Sequence, residues 1–167
     1  MKSASIAAIA LVLGSASVRA WAESPKDFIS DAIIGDNSEI MLGRVAERSG
    51  ASPQVRDFGH VLVKDHTKAK REASAVARRL GVTPPTRSSA AADAEYAKLH
   101  LLSGVSFDRE FSGYMVRDHQ QDIADFQAEA DGDTGPAGAL ARKQLPTLHK
   151  HLDMAQSIVD ANKTAGQ

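Results

Sequence analysis

The sequence predicts an all-α protein: a four-helix bundle with a short extra helix in the crossover between the second and third long helices. Three observations carry this. Alanine is abundant and aromatics make up only 5% of the chain, a composition that favours helices over sheets. Apolar residues recur at spacings of three, four and seven over long stretches, and caps or breakers bound those stretches.

The first long helix is expected from about Pro25 to Arg48, with Phe28, Ala32, Gly35, Gly43 and Ala46 on one face and Gly50 at its end. Ser52-Pro53 supplies an N-cap and a proline at the first helical position, so a second helix should run from there to Leu80. Its stripe is Val55, Phe58, Leu62, Ala69, Ala73, Val76 and Leu80, and Gly81 with Pro84-Pro85 stops it. The connection from Gly81 to about Ser106 is too long for a simple hairpin, and it contains a helical piece around Asp93 to Leu102. A crossover of that length permits the second and third long helices to run parallel, as in ferritin-like bundles. The third long helix is expected from about Ser106 to Ala130, burying Phe107, Phe111, Met115, Ile123 and Phe126, before a turn at Asp131–Gly135. The last should start near Pro136 and reach about Ala161, burying Leu148, Leu152, Ala155 and Val159, with an interruption at Pro146.

Lys2, the apolar run Ile6 to Leu13 and the small-residue pattern Ala20-Trp21-Ala22 read as an export signal over residues 1–22. The expected location is periplasmic or secreted, and residues 23–167 have the length of one domain. No later segment has the length and apolarity of an integral membrane span. With 20 Lys+Arg against 21 Asp+Glu, the net charge of -1 gives no general attraction to nucleic acid. Cysteine is absent, which excludes thiolate metal sites, disulfides and thiol redox chemistry. Any metal must be held by histidine, carboxylate or backbone oxygen. Phosphate loops, nucleophile elbows and His-Glu-x-x-His motifs are missing too, so no catalytic residue is nominated.

Ionisable groups on apolar stripes are the informative positions, because burial of charge is costly. Two stretches nearly repeat: Phe58-Gly59-His60-Val61-Leu62-Val63-Lys64-Asp65-His66 and Phe111-Ser112-Gly113-Tyr114-Met115-Val116-Arg117-Asp118-His119. At about 100° per residue, His66 lies roughly 40° from Leu62, His119 equally near Met115, and Asp122 falls on the same stripe as His119. Asp65 and Asp118 stand further round, placed to orient a neighbour or to meet a base on an adjacent helix. Glu39 falls on the small-residue face of the first helix, and His151 lies at the edge of the last helix's stripe. Glu39, His66, His119 and His151 each sit near the midpoint of their own helix. Midpoints meet whether helices run parallel or antiparallel, so these four can converge on one level, with Asp122 as a further ligand and Asp65 and Asp118 as orienting groups. Such a set suits a transition metal ion: Zn, Cu, Fe or Ni. His60, His100 and His149 are expected at the surface.

Together with Glu39-Ile40-Met41-Leu42-Gly43-Arg44-Val45-Ala46 and Leu145-Pro146-Thr147-Leu148-His149-Lys150-His151-Leu152, the Asp-His dipeptides resemble those of the exported bacterial domain-of-unknown-function (DUF) family 4142 over about residues 26–160. The resemblance implies a ferritin-like four-helix fold and no defined reaction. Ferritin-like di-iron enzymes carry Glu-x-x-His on two helices. Here Val63, Val116 and Leu148 stand three residues before the histidines. Two functional readings remain at this point: an exported bundle binding a transition metal, or a non-catalytic envelope stress or scaffolding protein whose His/Asp/Glu layer only fixes the bundle.

Overall fold

The computed structural model describes residues 24–164, and the expected export signal over residues 1–22 lies outside them. Among the described residues five helices make up the architecture: α1 (Pro25–Ser49), α2 (Pro53–Arg79), α3 (Ala90–Leu99), α4 (Gly104–Gly132) and α5 (Pro136–Thr164). Among the described residues there is no strand, and no helix is long and apolar enough to cross a membrane.

Local chemistry sets the boundaries. Ser24 and Ser52 cap α1 and α2 by accepting the backbone N–H of Asp27 and Val55, each followed by proline at the first helical position. Past the end of α2, Gly81 takes φ +75° while the Val82 N–H reaches the Ala77 carbonyl at 2.8 Å, which closes the helix. The crossover helix starts earlier than the expected Asp93, because Ser89 caps it by accepting the Ala92 N–H at 3.1 Å. Asp133 accepts the N–H groups of Gly135 and Gly138 ahead of α5. Pro146 does not interrupt α5, which continues through it. The proline is exposed, whereas Ala141 and Leu148 on either side are buried, so packing holds the helix across the missing hydrogen bond.

Short links make α1/α2 and α4/α5 antiparallel pairs. Across the bundle, Phe58 meets Phe111 with ring centroids 6.0 Å apart, and eight residues further along both helices His66 meets His119, again at 6.0 Å. α2 and α4 therefore run parallel and in register, as the long connection permits. The near-repeat in the sequence is this register: two helices pointing the same way meet the same layers in the same order. The connection is fixed to α1, where the Asn37 amide donates to the carbonyls of Pro85 (3.3 Å) and Arg87 (2.9 Å), and Ser38 Oγ accepts the Ser89 N–H at 3.0 Å.

The core has two apolar halves. One is built around Leu42, Val55, Phe58, Leu62, Phe107, Phe111 and Met115, the other around Phe28, Ile29, Ile33, Ala73, Phe126 and Leu148. On α1 the fully buried apolar side chains are Ile29, Ile33, Leu42 and Ala46, so the face expected through Ala32 and Gly35 is rotated toward its edge, where both are only partly buried. The larger aliphatics displace more water on burial, about 1.5–3 kcal/mol each, and set the rotation. Ala69, Val76, Leu80, Ile123, Leu152 and Val159 are likewise partly buried. At one end, buried Asp108 of α4 accepts the N–H groups of Ala51 and Ser52, both at 2.8 Å. Asp108→Ala leaves both donors without their acceptor, and a loss of about 3 kcal/mol in urea unfolding is expected; a change below about 0.5 kcal/mol contradicts it.

Candidate metal centre

Between the two apolar halves lies one polar layer, and the sequence of each long helix shows it. On α1, Asp36 and Glu39 separate Ile33 from Leu42; on α2, His66 separates Leu62 from Ala73; on α4, His119 separates Met115 from Phe126; on α5, His151 separates Leu148 from Ala155. Glu39, His119 and His151 are fully buried, and Asp36 and His66 are 5% exposed.

The three imidazoles converge. Ring centroids stand 5.1 Å apart for His66 and His151, 5.3 Å for His119 and His151 and 6.0 Å for His66 and His119. One nitrogen from each lies within 4.8 Å of one nitrogen from each of the others. Four ligands at about 2.0–2.1 Å from a tetrahedral ion stand about 3.3 Å apart, so closure needs only a modest contraction. Each ring also has one nitrogen engaged. His66 Nδ1 lies 2.9 Å from Asp36 Oδ1, His151 Nε2 3.1 Å from Asp65 Oδ2, and His119 Nδ1–H donates to the Met115 carbonyl at 3.0 Å. The other nitrogens, His66 Nε2, His119 Nε2 and His151 Nδ1, are buried without a hydrogen-bond partner.

Glu39 completes the layer. Its carboxylate oxygens come within 4.0 Å of His66 Nε2 and 3.7 Å of His119 Nδ1, yet no N–H or hydroxyl donates to either oxygen, and the Asp118 carboxyl shares a hydrogen bond with this side chain. Glu39 also groups with Asp118 and His119, ligand atoms again within 4.8 Å of one another. Asp122 joins neither group; it lies one turn beyond His119 and lines a cavity beside the centre. Asp36 was missed in the sequence, although it lies three residues after Ile33 and three before Glu39, an ionisable group in the run of buried positions. His60, His100 and His149 are exposed, His60 pairing with Glu47 at 2.9 Å.

Electrostatics follow from burial. Loss of water holds the imidazoles neutral: His66 is pushed down to about 4 against the pull of Asp118 and Asp65, His119 to about 3 with help from the other two rings, and His151 to about 4. The same burial pushes the Glu39 carboxyl well above its usual range, and neighbouring Asp118 pushes it further. Asp36 and Asp122 are also raised by burial. Neutral rings with unshared lone pairs beside a carboxylate short of donors are a group that could hold a metal ion.

A crystal structure of a DUF305 fragment from Deinococcus radiodurans is similar to this chain at TM-score 0.72 and 19% sequence identity, covering 82% of this chain and 95% of that one; it shows the shared helical fold. No curated protein matches. A family model described as "Domain of unknown function (DUF4142)" matches residues 10–158.

Proposed function

The chain belongs to the DUF4142 family, described as a domain of unknown function, and from its geometry we propose that it binds one divalent transition metal ion, Zn, Cu, Fe or Ni, in the bundle core. His66 Nε2, His119 Nε2 and His151 Nδ1 supply nitrogen ligands and Glu39 an oxygen. Asp36, Asp65 and the Met115 carbonyl hold the rings in the tautomers that direct a lone pair inward. A single observation carries the reading: three buried ring nitrogens converge without hydrogen-bond partners. A layer that only fixed helix register would leave those groups at a cost of about 1–3 kcal/mol each, whereas a cation satisfies them together. The export pattern read over residues 1–22 supports binding outside the cytoplasm, periplasmic or secreted, and sequencing the N-terminus of the exported chain checks it.

Elemental analysis and calorimetric titration with Zn2+, Cu2+, Fe2+ and Ni2+ test the proposal. One ion per chain is expected for the wild type and none above background for His66→Ala/His119→Ala. Failure of the wild type to bind any of these ions overturns it.

Proton linkage gives a second check with chelator present. Because the folded-state pKa of Glu39 is raised above 4.5, the folded protein keeps a proton that the unfolded chain gives up, and this contribution to stability falls as pH rises through that window. Glu39→Gln removes it. The melting temperature of the variant minus that of the wild type should be smallest near pH 4.5 and grow toward pH 8. A difference independent of pH contradicts it. The histidines act oppositely: with His66 lowered from 6.5 to about 4, its contribution falls as pH drops through that interval.

A further inference from the structure

Beside the polar layer lies a cavity of about 180 Å³, more than ten times the roughly 10–15 Å³ one water needs. It reaches from solvent to the centre: exposed Asp31, Lys68, Asp125 and Lys143 line its outer part, and buried Asp36, His66 and His151 its inner part. The residues carrying unpartnered Asp36 Oδ2, His66 Nε2 and His151 Nδ1 all belong to this inner lining.

Gly35 explains why the cavity stays open. A glycine inside a helix costs roughly 0.5–1 kcal/mol relative to alanine and usually marks a close approach. Gly43 and Gly59 fit that pattern, since a Cβ on either would meet the other's carbonyl oxygen at 2.9 or 2.6 Å. Gly35 does not: a Cβ there would meet nothing within 4 Å, and the residue lines the cavity. Its missing side chain leaves a passage at the height of Asp36. The lining charge is mainly negative. Setting aside Asp36 and Asp122, whose carboxyls burial pushes toward the neutral form, Asp31, Asp65, Glu72 and Asp125 outnumber Lys68 and Lys143, and Lys143 is paired with Glu72 at 2.9 Å.

Resting on the metal reading above, we infer that this Gly35 cavity is the passage through which a hydrated divalent cation reaches and leaves the histidine centre, making the bound ion exchangeable without unfolding the bundle. The outer carboxylates concentrate the cation at the mouth, Asp36 and Asp65 receive it, and water leaves through the same opening as the imidazole nitrogens replace it.

Stopped-flow mixing of chelator-treated protein with Zn2+, and transfer of Zn2+ from loaded protein to a chromophoric chelator, give the two rates. Gly35→Phe should slow both by at least about tenfold while the equilibrium dissociation constant stays within about threefold, because a plug in the passage affects both directions alike. Gly35→Ala should retain wild-type rates. Asp31→Asn/Asp125→Asn changes two exposed residues, which keeps the fold, and should slow association about three- to tenfold at low salt and flatten its dependence on ionic strength. If Zn2+ binds the wild type but both rates in Gly35→Phe and association in Asp31→Asn/Asp125→Asn stay within twofold of wild type, the passage lies elsewhere and the inference fails while the metal reading stands. If the wild type binds none of Zn2+, Cu2+, Fe2+ and Ni2+, both fail; if it binds one of the others and not Zn2+, the same rates are read with that ion.

Discussion

Zn2+ at a thousandfold excess over its dissociation constant should stabilise the wild-type protein by about 4 kcal/mol, since an ion that binds only the folded state contributes RT ln(1 + [L]/Kd). For a bundle of this size the melting temperature should rise by roughly 10–15 °C. The groups that bring the ion to this site are the ring nitrogens that the fold leaves buried and unpartnered, His66 Nε2, His119 Nε2 and His151 Nδ1, beside the buried Glu39 carboxyl. His66→Ala/His119→Ala should lose nearly all of the shift, and Glu39→Gln should keep the nitrogens and lose part of it. Mg2+, which prefers oxygen ligands and retains its water, should produce almost none. Equal melting temperatures for the wild type with saturating Zn2+ and with chelator would contradict the centre and favour a layer that only fixes helix register.

Gly59→Ala should lower stability by about 3 kcal/mol, the upper part of the range for overpacking. The added Cβ would stand 2.6 Å from the Gly43 carbonyl oxygen, 2.7 Å from the Glu47 nitrogen and 2.9 Å from the Ala46 Cβ. Two of those three atoms are backbone, so no rotamer change relieves the contact and α1 must move away from α2. That movement also draws Asp36 and Glu39 from His66, so Zn2+ affinity should fall with stability. Gly35→Ala, on α1 and facing open space, should instead stabilise by about 0.5–1 kcal/mol. Chemical denaturation of the two variants checks both signs, and similar effects from both would contradict the packing argument.

Local signals made most of the fold legible. Ser52-Pro53 and Gly81 announce the ends of α2 because capping and left-handed backbone depend on neighbours in the chain. Glu39, His66, His119 and His151 were legible as a group because each interrupts an apolar stripe near mid-helix. Asp36 was not. The face of α1 was drawn through small residues, and only competition among Ile29, Ile33 and Leu42 for the core rotates the helix to bury Asp36 at 2.9 Å from His66. Pro146 misled for a related reason, since propensity weighs one lost hydrogen bond and cannot weigh the packing on both sides of it.

Composition and periodicity determined an all-helical chain of four long elements, without cysteine chemistry, and with histidines and a glutamate on faces that must be buried. These properties are set within about one helical turn. Tertiary structure decided the parallel register of α2 and α4 that turns two similar stretches into facing walls, the ring nitrogens left unpartnered, and the cavity beside Gly35. Each depends on distances between residues far apart in the chain, fixed only once the apolar halves on either side have packed.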